Sequence, residues 1–231
     1  MKKLVILTGA GMSAESGIST FRDAGGLWEK YPIEEVATPQ AWAKNPSLVL
    51  DFYNLRRRQL LEVEPNAGHF GLVELEKHFD VHIVTQNVDN LHERAGSSKI
   101  LHLHGELMKV RSTSASSEVF ELSPENIDIH LGSLCPKACQ LRPHIVWFGE
   151  AVPEIENAAK IVAQADVLVI IGTSMQVYPA ASLIHYAKRG TPIYVIDPNA
   201  DELQISQSVH IIKKKASEGV KELTEILLHE K

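Results

Sequence analysis

Gly9-Ala10-Gly11-Met12-Ser13-Ala14-Glu15-Ser16-Gly17 stands directly behind the apolar run Leu4-Val5-Ile6-Leu7. Glycines at such a turn let backbone N–H groups approach a phosphate closely, and the start of a following helix favours negative charge. The spacing is neither G-x-G-x-x-G nor a P-loop, and the plain alternative is a tight strand-to-helix turn. Gly172-Thr173-Ser174 and Thr85-Gln86-Asn87-Val88-Asp89 each follow another apolar run in the same way. Three polar strand ends converging on one sheet edge make the kind of crevice in which open α/β sheets bind ligands.

Other residue types carry chemistry too. His102 and His104 lie two apart in a stretch read as strand, so they share a face, and either imidazole is a candidate general base near neutral pH. There are eleven histidines in all, so position alone singles out neither. Cys135 and Cys139 are the only thiols, one pair where a structural zinc site usually takes two, and they read as ordinary thiols. Tyr53 and Arg56 are three apart in a helical pattern and so share a face. A phenol beside a guanidinium can grip a carboxylate. On spacing alone the plainer reading is a half-buried tyrosine and a solvated run over Arg56-Arg57-Arg58.

These residues need elements to place them. Continuous apolar runs at 4–7, 81–84, 145–148, 167–171 and 193–196, with a weaker one at 209–212, suit central parallel strands buried on both faces. Helical patterns fall between them at 69–78, 154–165, 180–188 and 217–228. Strand–helix alternation argues for an α/β domain with a parallel sheet and helices on both faces. Two segments break the alternation. Residues 24–65 hold Gly25-Gly26, three prolines and a helix near 46–61, and residues 106–143 are polar around a serine-rich stretch at 112–117 that reads as a mobile loop. The expected organisation is a nucleotide-binding domain over 1–23, 66–105 and 144–231, with 24–65 and 106–143 forming a small inserted lobe. The cleft between lobe and sheet edge is the expected ligand site.

Composition sets the outer bounds. Of 231 residues, 44% are hydrophobic and 23% charged, as in ordinary globular proteins. The net charge of −6 lacks the basic footprint expected for nucleic-acid or anionic-membrane binding and is compatible with basic, Lys-rich protein partners. No apolar run reaches the roughly 18 residues of a membrane span. Two cysteines agree with a reducing, cytoplasmic setting.

The motif over 9–22, ending Ile18-Ser19-Thr20-Phe21-Arg22, closely resembles the signature of the sirtuins, NAD-dependent protein-lysine deacylases. So do Thr85-Gln86-Asn87-Val88-Asp89-Asn90-Leu91-His92, His104-Gly105, Val146-Trp147-Phe148-Gly149-Glu150 and Gly172-Thr173-Ser174. The motifs occur in family order, and the resemblance spans residues 4 to about 220. It implies a Rossmann-like large domain with a small lobe of a helical part and a zinc ribbon.

By resemblance, Gly9, Ala10, Gly11, Met12 and Ser13 cradle the pyrophosphate. Phe21, Arg22 and Trp28 face the cofactor near its reacting end. Gln86, Asn87, Val88 and Asp89 hold the nicotinamide ribose, a water and the carboxamide. Gly172, Thr173, Ser174, Asp197, Pro198, Asn199 and Ala216 take the adenosine side. Val146, Phe148, Gly149, Glu150 and Val177 clamp the acylated lysine peptide as an added strand. The implied chemistry joins the acyl oxygen to the ribose as nicotinamide leaves. His104 then serves as general base, and the products are free lysine and O-acyl-ADP-ribose. Tyr53 and Arg56 match the Tyr-x-x-Arg pair of the branch that prefers succinyl and malonyl groups. The small residues Ala24, Gly25 and Gly26 leave room for a longer acyl chain.

Two departures matter. Arg111-Ser112-Thr113 stands where the family's first cysteine pair is expected, and the second survives only as Cys135-x-x-x-Cys139, so a ribbon without zinc is expected. Asp197 stands where the family usually has Asn. The competing readings are a mono-ADP-ribosyltransferase using the same pocket, a non-catalytic NAD sensor, and a generic dehydrogenase, which the glycine spacing disfavours.

Overall fold

The computed structural model describes residues 1–19, 30–114, 116–202 and 208–229. In chain order the strands are β1 (Lys3–Thr8), β2 (Asp80–Thr85), β3 (Ile100–His102), β4 (Gly105–Ser112), β5 (Val119–Glu121), β6 (Leu141–Ile145), β7 (Val167–Ile171), β8 (Ile193–Ile196) and β9 (His210–Ile212). The helices are α1 (Gly11–Ala14), α2 (Ile33–Val36), α3 (Pro39–Lys44), α4 (Pro46–Leu61), α5 (Ala67–Leu75), α6 (Leu91–Ala95), α7 (Ile155–Val162) and α8 (Ala216–His229).

Six strands form one sheet in the order β3-β2-β1-β7-β8-β9, all pairs parallel. Counted along the chain this is 3-2-1-4-5-6, the doubly wound order of dinucleotide-binding folds. The sheet is an α/β Rossmann-like core, as the alternation of runs and helical patterns implies. Successive residues of β1 bury on opposite faces. Leu4 and Ile6 join a core with Leu72 and Leu75 of α5 and Val220, Leu223 and Leu227 of α8. Val5 and Leu7 join a second core with Ala158 and Val162 of α7. Burial on both faces is why these strands read as unbroken apolar runs. Gly71 and Gly219 keep the α5 side thin: a Cβ on Gly219 would lie 2.2 Å from Ile196 Cγ2, and one on Gly71 2.7 Å from Val220 Cγ1.

The helix expected at 180–188 is a 3-10 helix, Ala180–Tyr186. The run at 145–148, expected as a central parallel strand, is not in the large sheet. β6 ends at Ile145 and pairs antiparallel with β4, which also pairs with β5, in a separate three-stranded sheet. The run is apolar because Ile145 and Trp147 enter the core of the lobe with Val36, Val49, Phe52, Tyr53, Leu60 and Leu107. α4 occupies 46–61 as expected, starting on the Asn45 side chain, which accepts from Leu48 N–H, with Pro46 opening the first turn. The arginine run on α4 is not solvated: Arg56 and Arg57 are buried, and only Arg58 faces solvent. Of the serine stretch, Ser112 closes β4 and is buried, and Ala115 lies outside the described residues. No helix among the described residues is long and apolar enough to cross a membrane.

Candidate active site

The strand order reverses between β1 and β7, and the carboxyl ends of these strands meet there. Gly9 N–H donates to Ile171 O (3.0 Å), Gly11 N–H to Gly172 O (2.8 Å), and Gly172 N–H to Ile196 O (3.0 Å). These contacts hold two glycine turns almost against each other. A Cβ on Gly172, whose φ is +59°, would lie 2.5 Å from Gly11 C and Met12 N, and one on Gly9 2.7 Å from Gly172 O. Only residues without a side chain fit, which leaves bare backbone at the start of α1.

A cavity of about 860 Å³ opens over these turns. That lies within the usual range of ligand sites, about 300–1,000 Å³. It brings together most of the residues singled out in the sequence. Gly9, Ala10, Gly11, Gly172, Thr173 and Ser174 line its floor, and Asp197, Pro198, Asn199 and Ala216 one end. Gln86, Asn87, Val88 and His104 stand on another wall, and Tyr53, Arg56, Val146, Phe148, Gly149, Glu150 and Val177 on the lobe side. Met12, Ser13 and Asp89 do not reach the surface of the cavity. They lie behind it, buried, with Ser13 Oγ donating to Asp89 Oδ2 at 3.0 Å. Phe21, Arg22 and Trp28, with the small residues at 24–26, lie outside the described residues.

The loop after β2 is fixed from several directions. Gln86 N–H donates to Thr8 O (2.9 Å), and Gln86 Nε2 donates to Thr173 Oγ1 (3.1 Å). Asn87 Nδ2 donates to Gly9 O (3.0 Å) and Ser13 Oγ (3.2 Å), so this carboxamide is clamped to the first glycine turn. His104 lies in the bend between β3 and β4, with Nδ1 3.1 Å from Gln86 O. Pairing of that nitrogen with a carbonyl makes it the protonated one, which leaves Nε2 as the basic atom. Burial pushes the imidazole of His104 below its ordinary value, partly opposed by the Gln86 carbonyl. The ring is therefore neutral, and able to accept a proton, across the neutral range. Gly105 follows with φ +81°, where a Cβ would fall 2.0 Å from His144 O. The same crossing lets Val146 N–H donate to His104 O at 2.9 Å.

On the lobe side, Tyr53 and Arg56 are each 4% exposed. Trp147 Nε1 donates to Tyr53 Oη at 3.0 Å. Burial pushes the Tyr53 phenol up to about 12, so it stays a hydroxyl. Burial pulls the Arg56 guanidinium below its ordinary value, opposed by Tyr53 and Asp89. Arg142 stacks on Trp147, its Cζ 3.4 Å from the ring centre. Glu150 accepts from Arg142 Nη1 (2.8 Å), Arg111 Nη2 (3.2 Å) and Trp147 N–H (2.8 Å). Burial raises this carboxyl, but the two arginines and the N–H outweigh it and hold it below its ordinary value. Glu150 thus folds the 146–150 loop back on itself, and Phe148 N–H ties the loop to Ala37 O (3.0 Å).

With this geometry in view the family is decided by the match of residues 9–179 to the Sir2 family model. The chain belongs to the Sir2 family. A Sir2-family relative from Bacteroides thetaiotaomicron, named NAD-dependent protein deacylase, is 60% identical over 99% of both chains. A crystal structure of a Sir2 homologue in complex with NAD is 42% identical, covers 99% of this chain and 90% of its own, and superposes with a TM-score of 0.84. A Sir2 homologue mutant in complex with 2′-O-acetyl ADP ribose is 41% identical, with coverage of 99% and 92% and a TM-score of 0.84.

Sequence reasoning missed several walls of this Sir2 cavity. Ala14, Glu15, Phe52, Tyr178, Lys214 and Lys215 also line it. Phe52 had a signal, its place one residue before Tyr53; the two lysines, in a polar run after β9, had none. Where the Sir2 zinc ribbon is expected, Ser112 Oγ lies 3.4 Å from Cys135 Sγ. Among the described residues, no group of three or more His, Cys, Asp or Glu side chains is placed to hold a metal.

Proposed function

We propose that this chain, an NAD-dependent protein deacylase, removes acidic acyl groups, succinyl and malonyl foremost and acetyl as well, from lysine side chains of proteins. The observation that carries the acidic preference is the placement of Tyr53 and Arg56, both buried, on the wall of the cavity that also holds His104 and Asn87. A guanidinium recognises a carboxylate with two parallel hydrogen bonds, and a phenol kept neutral can donate a third.

The glycine cradle at 9–11 and 172 fits a pyrophosphate, because a Cβ at any of these positions would strike backbone or a neighbouring side chain. Asp197, Asn199 and Ala216 hold the adenosine end, and Gln86, Asn87 and Asp89 the nicotinamide ribose end. When bound, NAD supplies the ribose carbon to which the acyl oxygen is joined, so that nicotinamide and O-acyl-ADP-ribose leave with free lysine. Asn87, clamped to Gly9 and Ser13, orients that end. His104 Nε2 takes a proton from a ribose hydroxyl. Val146, Phe148, Gly149 and Val177 receive the peptide backbone as an added strand, and Glu150 keeps their loop folded. Phe21, Arg22 and Trp28 complete the cofactor side. The two free cysteines agree with action in the cytoplasm.

Mass spectrometry of peptides bearing acetyl-, malonyl- and succinyl-lysine, with and without NAD, tests the proposal. Conversion of the acidic peptides above the acetyl peptide, only with NAD and lost in His104→Ala, is expected. Transfer of label from NAD to protein without loss of any acyl group overturns it in favour of ADP-ribosyl transfer.

A further inference from the structure

His102 is buried beneath the site and faces two acceptors. Its Nδ1 lies 3.0 Å from Asn87 O, and its Nε2 lies 2.8 Å from Glu93 Oε1 on α6. The ring is 8% exposed, and Glu93 is 39% exposed. A carbonyl and a carboxylate both accept, so each ring nitrogen must carry a proton for both contacts to be hydrogen bonds. His102 and His104 are thus tethered to the consecutive carbonyls of Asn87 and Gln86. The same face of one short segment holds both the candidate base and the loop that must meet it.

We propose that His102, held as an imidazolium by Glu93, is a positioning residue that fixes the Asn87 backbone and so sets the alkaline end of the activity range. This rests on the assignment of Asn87 to the nicotinamide ribose end. With both protons present, the ring bridges α6 to the loop after β2. Loss of one proton turns a lone pair towards either the Glu93 carboxylate or the Asn87 carbonyl, and the ring leaves one of its two anchors. The Asn87 carboxamide is then held by Gly9 O and Ser13 Oγ alone.

The surroundings favour the doubly protonated ring. Burial lowers the His102 value, but Glu93, the Asn87 carbonyl and Glu106 on β4 outweigh it and raise it above the ordinary range. Asp89 in the same loop also interacts with His102, His92 on α6 opposes its charge, and Lys109 on β4 acts on Glu93. His104 moves the other way, lowered by burial. Two histidines two residues apart therefore have opposite assignments: one stays charged and holds, and the other stays neutral and accepts.

The test is the pH profile of kcat and KM, from pH 6 to 9.5, on an acetyl-lysine peptide with NAD, for the native chain, Glu93→Gln and Asn87→Ala. Removing the carboxylate is expected to move the alkaline limb of kcat down by about 1 unit or more. At pH 6.5, kcat and both KM values should remain within about twofold of native. A Glu93→Gln profile that keeps the native shape, merely scaled, overturns the proposal, because a purely structural loss moves no limb. Loss of activity in Asn87→Ala beside an unmoved Glu93→Gln limb refutes the dyad and leaves Asn87 standing; native kcat in Asn87→Ala removes both. NMR titration of the His102 Cε1–H resonance in the native chain decides the matter without any variant. A midpoint above about 6.5 supports the dyad, and one at or below it refutes it. A native chain that turns over no acylated peptide defeats the deacylase reading, and the NMR midpoint still decides His102.

Discussion

Arg56→Met isolates the proposed carboxylate grip. Methionine keeps an unbranched chain of similar reach, so the wall formed with Phe52 and Tyr53 stays filled while the charge goes. Arg56 is 4% exposed, and solvent screening of a carboxylate beside it is correspondingly weak. A hydrogen bond to a charged partner contributes about 1.5–3 kcal/mol. At about 1.4 kcal/mol per decade that is a roughly ten- to hundredfold loss in kcat/KM for a succinyl-lysine peptide. The acetyl-lysine peptide carries no carboxylate, and its kcat/KM should change by less than about threefold. Tyr53→Phe is a less clean probe, because it strips the acceptor from Trp147 Nε1 and leaves a buried donor unpaired. The measurement is initial-rate nicotinamide release at subsaturating peptide and saturating NAD. Equal losses on both peptides, or no loss on either, would show that Arg56 does not read the acyl group, and the acidic preference would have to be withdrawn.

Three further outcomes follow from the same geometry. Gly172→Ala forces a Cβ to within 2.5 Å of Gly11 C in a left-handed backbone; NAD binding measured by calorimetry should be lost and Tm should fall, and a variant binding NAD as the native chain does refutes the cradle. His69 is fully buried, and burial lowers it from 6.5 to about 4, with His92 moved in the same direction. The unfolded chain then binds more protons between those values, so stability is lost as pH falls from about 6.5 towards 4, by about 3 kcal/mol for His69 at the low end. Urea unfolding at pH 7 and pH 5 should show the loss, His69→Gln should flatten it, and equal stability at both pH values contradicts it. Elemental analysis is expected to find far less than one zinc per chain, with Tm unmoved by EDTA, because a serine faces Cys135; one tightly held zinc reverses that expectation.

The large sheet was legible because its strands are buried on both faces, so that 4–7, 81–84, 167–171 and 193–196 carry no polar residue except His82 and Tyr194. The run at 145–148 is equally apolar for a different reason, and composition cannot separate a central strand from the edge of a lobe core. The cavity floor was legible from glycines, since bare backbone at a strand end admits few alternatives. The lobe side was not legible from pattern. α4 buries Asn54, Arg56 and Arg57 along with Val49, Phe52 and Leu60, which blurs its periodicity and makes the arginine run look solvated. Only the resemblance of the Tyr-x-x-Arg pair drew attention to it. The Glu93–His102 pair escaped too, because its members lie nine residues apart on different elements and meet only when α6 packs beside β3.

The buried arginines also explain how the small lobe keeps its shape. Arg57 Nε donates to Ile127 O at 2.7 Å, and Arg57 Nη2 to Asn54 Oδ1 at 2.6 Å. Asn54 in turn donates from Nδ2 to Ile129 O and accepts from Ile129 N–H, both at 3.0 Å. One helix face thereby satisfies the backbone of a segment that has no sheet partners of its own. Small units with little core need such fixed points, which disulfides or metals often supply. Here Asn54 and Arg57 supply them on one side, and the Arg111–Glu150–Arg142 cluster does so on the other. Tyr53 and Arg56 sit on the same helix as the first anchor, and Val146 and Phe148 on the loop held by the second. The residues that steady the lobe are therefore neighbours in sequence of those proposed to read the acyl group and the peptide. A change that loosens the lobe should weaken both recognition events together, whereas Arg56→Met should weaken only one.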